Sequence, residues 1–179
     1  MVNYKGIADN AEIDQTTAKN WLRILETLGI IFYLHPYSNN VLKRTVKTPK
    51  LYFYDTGLVC YLTKWSSADT AMSGAMNGAL LENYTVSEIR KSCQNAGRVP
   101  YLYYYRDKDA KEIDLIAERD GRLHPIEIKK TAAPEKKMIR SFSVIERAPL
   151  LRGTGAILCL TERLGAFDRE NLIVPITLI

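Results

Sequence analysis

The chain has 179 residues, of which 46% are hydrophobic and 25% charged, as is typical of a globular protein with one or two small domains. No apolar run approaches the roughly 18 residues of a membrane-spanning helix, and residues 1–6 lack the apolar core of a signal peptide, so we expect a cytoplasmic protein with no membrane partner. Three widely spaced cysteines without a Cys-x-x-Cys pair argue against a zinc site, and a net charge of +5 permits an anionic partner without requiring one.

The first part of the chain has the pattern of two helices followed by a hairpin. The predicted elements are helices over 7–13 and 15–28 and strands over 30–34 and 51–54. Asp14 is expected to cap the second helix, because its carboxylate can accept from the free amides of the first turn, and Gly29 is expected to end it. The apolar stripe of this helix consists of Ala18, Trp21, Leu22, Leu25 and Leu28.

Two helices and a hairpin with a basic tip are typical of a winged-helix domain, in which the second helix enters the major groove and the hairpin follows the phosphates. We therefore predict DNA as a partner. The predicted contacts are Thr16, Thr17, Lys19 and Arg23 on the helix and Lys43, Arg44 and Lys47 on the hairpin. The alternative is a small helical domain that packs on a neighbouring protein and whose charges are merely solvated.

The start of this domain is short for a winged helix, which normally has a further helix before the pair. Only about six residues precede the first predicted helix here. We therefore expect residues 1–67 to form a winged-helix domain that is truncated at its N-terminus, and the chain to be a piece of a longer protein.

A polar stretch at residues 66–69 marks the predicted boundary with a second domain over residues 68–179. Its predicted elements are helices over 76–93 and 136–146 and strands over 101–105, 112–118, 123–129, 155–160 and 172–179. The pair Asp120-Gly121 predicts a tight hairpin between two of these strands. The order is an αβββαβ core, so the expected fold is mixed α/β with a mixed central sheet.

Strand alternation places ionisable side chains together in this second domain. Glu127 and Lys129 share one face of their strand, whereas Ile126 and Ile128 share the other. In the preceding strand Asp114 points away from its apolar neighbours on either side. If the hairpin pairs the two strands, Asp114 lies beside Glu127.

Glu82 is a fourth candidate, because it lies on an apolar stripe of the helix over 76–93. A partly buried carboxylate needs a cation, a metal or hydrogen bonds to offset the cost of burial. A structural role, by capping or by pairing with Arg90, is the alternative.

Two carboxylates bind a hard cation such as Mg²⁺ or Mn²⁺ through oxygen, and such an ion polarises a phosphate and acidifies a bound water. A nearby lysine positions that water or stabilises developing negative charge. The predicted catalytic residues are Glu82, Asp114, Glu127 and Lys129, and the predicted metal ligands among them are Glu82, Asp114 and Glu127. The Glu-x-Lys pattern alone is weak evidence for a catalytic site, since it also occurs in exposed strands where the two side chains form a salt bridge.

Asp114 followed by Glu127-Ile128-Lys129 resembles the PD-(D/E)XK nuclease superfamily. The segments 49–58, 78–83 and 104–107 extend the resemblance to the C-terminal domain of unknown function carried by many prokaryotic AAA+-type ATPases. It implies a winged helix followed by a restriction-endonuclease-like domain, with Glu82 as the acidic residue of the first helix, Asp114 and Glu127 as the metal pair and Lys129 as the catalytic lysine. It also implies an ATPase portion as a partner.

The resemblance has limits in this chain. No Gly-x-x-x-x-Gly-Lys-[Ser/Thr] motif occurs, so no nucleotide site of that kind is expected in these residues. Asp55 and Arg106 match further positions of the family. We expect Asp55 to form a helix cap or an inter-domain contact, and Arg106 to touch phosphate or to pair with Asp107 or Glu112.

The sequence thus supports a metal-dependent DNA nuclease as the first hypothesis. The second is a non-catalytic module that binds DNA or protein and regulates an AAA+-type ATPase. A structural oligomerisation piece, whose 11 tyrosines would lie in interfaces, is a weaker third.

Overall fold

The computed structural model describes residues 1–37 and 47–179, and these form a mixed α/β fold with a nine-stranded mixed sheet. The α-helices are α1 (Tyr4–Asn10), α2 (Gln15–Thr27), α3 (Thr56–Leu62), α4 (Ala68–Ser73) and α5 (Asn77–Asn95), and 3-10 helices span Lys136–Arg147 and Ile176–Leu178. The strands are β1 (Ile31–Pro36), β2 (Lys50–Phe53), β3 (Leu102–Arg106), β4 (Glu112–Arg119), β5 (Arg122–Lys129), β6 (Leu151–Arg152), β7 (Gly155–Cys159), β8 (Gly165–Asp168) and β9 (Asn171–Pro175). In this described part of the chain, none of the helices is both long and apolar enough to cross a bilayer.

The sheet has the order β2-β1-β3-β4-β5-β7-β9-β8, and the short β6 also pairs with β5. Strands β3, β4 and β5 form an antiparallel meander, after which β7 and β9 run parallel to β5. The predicted αβββαβ order and the mixed sheet are therefore confirmed. The elements α4, β6 and β8 were not predicted, and the strand predicted over 172–179 ends at Pro175, after which a 3-10 helix spans Ile176–Leu178.

Both faces of the sheet are covered, and each cover has its own apolar cluster. On one face the 3-10 helix over residues 136–147 packs Phe142 and Ile145 against the strands, and on the other α5 contributes Leu81 and Val86. Burial on this scale is the main favourable term in folding, at roughly 25 cal/mol per Å² of apolar surface. The strands that carry Asp114 and Glu127 thus lie between two apolar layers.

One irregularity in β4 departs from the predicted alternation. The β3–β4 register shifts between Tyr103 and Tyr105, and as a result Ile113 and Leu115 pack into different clusters. Simple alternation would have put both on one face. A β-bulge of this kind turns the strand locally and re-aims the side chain beside it, which here is Asp114.

The helix pair of the first part is only partly covered. Asp14 caps α2 as predicted, accepting from the amides of Thr16 at 2.8 Å and Thr17 at 3.0 Å. The predicted apolar stripe is wrong at its edge, because Trp21 is 55% exposed and Leu28 66% exposed. Helix α2 packs against α1 and β1, and this contact covers only the side that carries Ala18, Leu22 and Leu25.

The predicted hairpin of the first part is confirmed in its two strands, β1 and β2, which pair antiparallel. Its tip, with Lys43 and Arg44, lies outside the described residues. The other edge of β1 pairs parallel with β3, through His35 opposite Tyr103 and Pro36 opposite Tyr104. The hairpin therefore extends the sheet of the second part, while the predicted domain division at residues 67 and 68 stays a prediction.

The outer edge of β2 is capped by a side chain of α5. The amide oxygen of Asn83 accepts from the Phe53 amide at 2.8 Å, and its nitrogen donates to the Phe53 carbonyl at 3.1 Å. The same nitrogen donates to the Thr56 hydroxyl at 2.9 Å. Asn83 therefore occupies the place that a neighbouring strand would take.

The turn between β4 and β5 is the predicted Asp-Gly hairpin. Asp120 has φ of 50° and Gly121 has φ of 71°, and Arg119 pairs with Arg122 across the two-residue loop. Two successive positive φ values match the right-handed twist of the flanking strands, and they favour aspartate or asparagine followed by glycine. The turn thereby sets the register of the hairpin.

We predict that Gly121→Ala lowers the free energy of unfolding by about 1 kcal/mol, because alanine resists a positive φ. Gly78→Ala in α5 is the matched control, since the added methyl meets no atom within 4 Å at either glycine and only Gly121 has a positive φ. Gly78→Ala is expected to stabilise the protein by roughly 0.5 kcal/mol. Urea unfolding of both variants tests this, and equal effects would contradict the role of the turn.

Candidate functional site

Three of the predicted catalytic residues meet at the end of the β4–β5 hairpin. Leu115 pairs with Ile126, so continuing this register by one residue puts Asp114 opposite Glu127. The Lys129 ammonium lies 2.5 Å from Glu127 Oε1 and 3.7 Å from Asp114 Oδ2. The predicted proximity of the aspartate and the glutamate is thus present.

The two carboxylates are buried but are not satisfied equally. Asp114 Oδ2 accepts a hydrogen bond of 2.9 Å from the backbone amide of Ile128. Glu127 Oε1 contacts Lys129, whereas its second oxygen, Oε2, is fully buried and has no hydrogen-bond partner among residues 1–37 and 47–179. A buried acceptor without a partner is unusual, and it costs about 1–3 kcal/mol unless something binds to it.

Burial also controls the charge of this pair. Burial, reinforced by the Glu82 carboxylate, raises the pKa of Asp114 despite the opposing effect of Lys129. Burial and the charge of Asp114 raise the pKa of Glu127 from 4.5 to about 7. Burial alone would lower the pKa of Lys129, but the Asp114 and Glu127 carboxylates outweigh it and raise that pKa, so the lysine is an ammonium at neutral pH.

Glu82 is paired with a cationic side chain, which is one of the three kinds of partner predicted for this partly buried carboxylate. Its Oε1 accepts from the Lys50 ammonium at 2.9 Å and from the Tyr52 hydroxyl at 2.6 Å. The pairing of Glu82 with Arg90 is not what the structure has, since Arg90 Nε donates to the Tyr54 hydroxyl at 2.8 Å. The role of Glu82 as a metal ligand stays a prediction.

Lys50 belongs to a wider ion network that sequence reasoning missed. Its ammonium also contacts Glu112 Oε1 at 2.6 Å, and the other Glu112 oxygen contacts Arg106 at 3.1 Å, which is one of the two pairings expected for this arginine. A signal was present in the sequence. Lys50 and Tyr52 are two residues apart and therefore share one face of β2, and Glu112 lies two residues before Asp114.

The carboxylates of this site fit a divalent cation only in part. In the described part of the chain, no three His, Cys, Asp or Glu side chains are arranged to hold a metal ion among themselves. Asp114 and Glu127 supply two carboxylates, and Glu127 Oε2 is a buried acceptor with no hydrogen-bond partner among the described residues. Such a pair suits Mg²⁺, which keeps several waters and often takes only one or two carboxylates from the protein.

The predicted nucleic-acid contacts lie elsewhere, on α2 and the hairpin. Thr16 and Arg23 are exposed, Thr17 donates to the capping Asp14, and Lys19 lies 5.5 Å from the ring centre of Tyr4. Lys47 is exposed, whereas Lys43 and Arg44 are outside residues 1–37 and 47–179. Asp55 caps α3 as expected, through the amides of Gly57 and Leu58.

Fold and site together define a mixed α/β protein with a buried acidic pair and a lysine at the end of a sheet hairpin. A model named "Domain of unknown function (DUF8612)" matches residues 1–69, and one named "Domain of unknown function (DUF4143)" matches residues 77–179. The second match covers more than half of the chain, which therefore belongs to the DUF4143 family.

Two curated mycobacterial proteins are similar to the chain. They are the uncharacterized proteins Rv2008c of Mycobacterium tuberculosis and Mb2031c of Mycobacterium bovis, each 31% identical over 129 residues. The match covers 72% of this chain but only 28% of each relative, so it spans less than a third of their length. No solved structure matches the chain.

The raised pKa of Glu127 predicts a pH-dependent stability. Between pH 4.5 and 7 the folded protein keeps a proton on Glu127 that the unfolded chain has released, so stability falls as the pH rises through this window and is level above it. From pH 5 to pH 8 the wild type should lose roughly 2 kcal/mol relative to Glu127→Gln.

The measurement is urea unfolding in EDTA at several pH values for both proteins. Glu88→Gln is the control, because Glu88 forms a helix-surface pair with Lys91 at 2.5 Å and should keep the wild-type pH dependence. Parallel stability curves for the wild type and Glu127→Gln would show that Glu127 is not perturbed.

Proposed function

We propose that the chain carries a Mg²⁺- or Mn²⁺-dependent nuclease site that hydrolyses phosphodiester bonds in DNA. The observation that carries this proposal is the buried pair of Asp114 and Glu127 with Lys129 against both, in which Glu127 Oε2 has no partner in the part of the chain that the structure describes. A structural ion pair would satisfy both carboxylate oxygens, whereas a binding site leaves one oxygen for its ligand.

The residues have distinct roles in this proposal. Asp114 and Glu127 would hold the cation, which when bound polarises the scissile phosphate and lowers the pKa of a water. Lys129 stays protonated because the two carboxylates raise its pKa, so it supplies positive charge to the phosphate oxygens and does not accept a proton. Glu127 must lose its proton before it binds a cation, so affinity should rise with pH up to about 7.

The setting of this site is also part of the proposal. The chain matches only 28% of the length of its curated relatives, which leaves room in such proteins for further domains. We propose that an AAA+-type ATPase portion accompanies this chain in the longer protein, as the resemblance of residues 49–58 and 78–83 implies. The nuclease-like part would then act where the ATPase places it.

The nuclease proposal predicts loss of cleavage in single-residue variants. Asp114→Asn and Lys129→Met should each slow nicking of supercoiled plasmid in Mn²⁺ by roughly 100-fold or more, because each removes charge from the reacting centre. Gel electrophoresis of time courses gives the rate, and circular dichroism confirms that the variants fold. Glu88→Gln should cleave like the wild type. Equal nicking by the wild type and Asp114→Asn would show that any cleavage comes from a contaminant.

A binding module without turnover is the second candidate, and the surface of α2 favours it. Arg23 and Thr16 are exposed on one side of this helix, whereas Trp21, Ile24 and Leu28 expose apolar surface on another. The first side suits phosphate contacts and the second suits a protein. The two can be separated by reversing a charge.

Under DNA binding by α2, Arg23→Glu should weaken the affinity for a duplex uniformly across sequences and reduce the slope of log K against log salt by about 1. Fluorescence anisotropy over a salt series measures both. The matched control is Lys137→Glu, which makes the same charge change on the 3-10 helix over residues 136–147. If the two variants bind alike, α2 does not contact the duplex.

A further inference from the structure

Three arginine side chains line one cavity at the edge of the sheet where β5, β7 and β9 begin. Arg122 is the first residue of β5, Arg152 precedes β7 and Arg169 precedes β9, and the cavity has a volume of about 330 Å³. The three strands run parallel, so their first residues lie at the same edge of the sheet. Glu127 follows Arg122 by five residues, or roughly 17 Å along the strand, so the cavity is separate from the candidate nuclease site.

The cavity carries an excess of positive charge. Its three guanidinium groups share the lining with a single carboxylate, that of Glu170, which leaves two net positive charges (three minus one) with His124 neutral. The ion pairs among the described residues include Arg152 but neither Arg122 nor Arg169. A concave surface lined by uncompensated charges of one sign attracts a ligand of the opposite sign.

Arg152 is the least exposed of the three arginines, and its guanidinium is only partly satisfied. Nη2 donates to Asn171 Oδ1 at 2.6 Å, whereas Nη1 lies 3.5 Å from both Glu146 Oε1 and Glu170 Oε2. Charge-assisted hydrogen bonds are normally about 2.7–2.9 Å long. Nε is buried and has no hydrogen-bond partner among the described residues. A structural role of Arg152 in joining neighbouring loops accounts for Nη2 but leaves Nε without an acceptor.

A glycine and a histidine stand side by side in the lining of the cavity. A Cβ on Gly153 would lie 2.3 Å from His124 Cε1, so the imidazole packs directly on the glycine backbone. His124 Nδ1 lies 3.1 Å from the Thr154 carbonyl oxygen, which can only accept, so Nδ1 carries a proton. This contact fixes the ring, and a proton on Nε2 would add a further donor for an anion.

We infer that this cavity, lined by Arg122, His124, Arg152 and Arg169, binds a phosphate group. Guanidinium groups present several N–H donors in a plane, which match the oxygens of a phosphate, and the phosphate supplies the negative charge that the cavity lacks. The phosphate can belong to a nucleic acid strand or to a small phosphate-bearing molecule. The site does not depend on the nuclease proposal, because it shares no residue with the acidic pair or Lys129.

The two histidines of the chain provide the test. His124 lines the cavity, whereas His35 is exposed on β1 and serves as an internal control. Titrating the full chain with inorganic phosphate at constant pH and ionic strength should shift the imidazole NMR signal of His124 saturably and leave that of His35 in place. Arg122→Gln and Arg169→Gln should each weaken this binding by about tenfold, because each removes a charged hydrogen-bond donor.

Arg163→Gln is the matched control, because Arg163 is an exposed arginine beyond the other end of β7, and this variant should bind phosphate like the wild type. Fluorescence anisotropy with a short DNA duplex then identifies the source of the phosphate. If Arg122→Gln weakens duplex binding more than Arg163→Gln does and lowers the salt slope by about 1, the phosphate belongs to a nucleic acid strand. If the two variants bind the duplex alike, it belongs to a small molecule.

The inference is wrong if phosphate fails to shift the His124 signal saturably, or if it shifts the signals of both histidines alike. It is also wrong if Arg122→Gln and Arg169→Gln weaken phosphate binding no more than Arg163→Gln does. Circular dichroism of each variant shows that it is folded. None of these results bears on the nuclease proposal, whose test is nicking by variants at the other end of β5.

Discussion

The register of the β4–β5 hairpin is the constraint on which the candidate site depends. A strand that slips by one residue turns every side chain to the opposite face, so a carboxylate pair across two strands needs a fixed register. Asp120 and Gly121 fix it, since a two-residue loop with both φ values positive allows a single pairing of the strands. Asp114 and Glu127 lie opposite each other for this reason.

Burial then determines the ionisation of the carboxyl groups at the candidate site. Glu127 Oε2 is buried without a hydrogen-bond partner among the described residues, and burial raises the pKa of that carboxyl. The ion pair with Lys129 offsets part of the free-energy cost of burying Glu127, and the ion pair with Lys50 does the same for Glu82. Groups of this kind are retained at the expense of stability, and so they mark a site of function more often than a core.

Much of the fold and of the candidate site could be predicted from local features of the sequence. Contacts between residues far apart in the chain could not. Asp14 as a helix cap, the Asp-Gly turn and the approach of Asp114 and Glu127 to Lys129 follow from interactions within a few residues or across one turn. The contact of Lys50 with Glu82 joins residues 32 positions apart, and only the packing of α5 on β2 brings them together. The bulge in β4 and the exposure of Trp21 likewise depend on which elements become neighbours, which periodicity does not encode.

The cap that Asn83 places on β2 has a consequence beyond the site. A terminal strand offers unpaired amides and carbonyls on which another chain can grow by strand addition, and this is a common start of aggregation. At Phe53 the backbone amide and carbonyl are both hydrogen-bonded to the Asn83 side-chain amide. This side chain pairs with the strand as a peptide group would, but it is not part of a further strand. Glu82 and Asn83, adjacent on α5, thus have separate duties toward one strand. Glu82 accepts hydrogen bonds from Lys50 and Tyr52 of β2, and Asn83 blocks strand addition at Phe53.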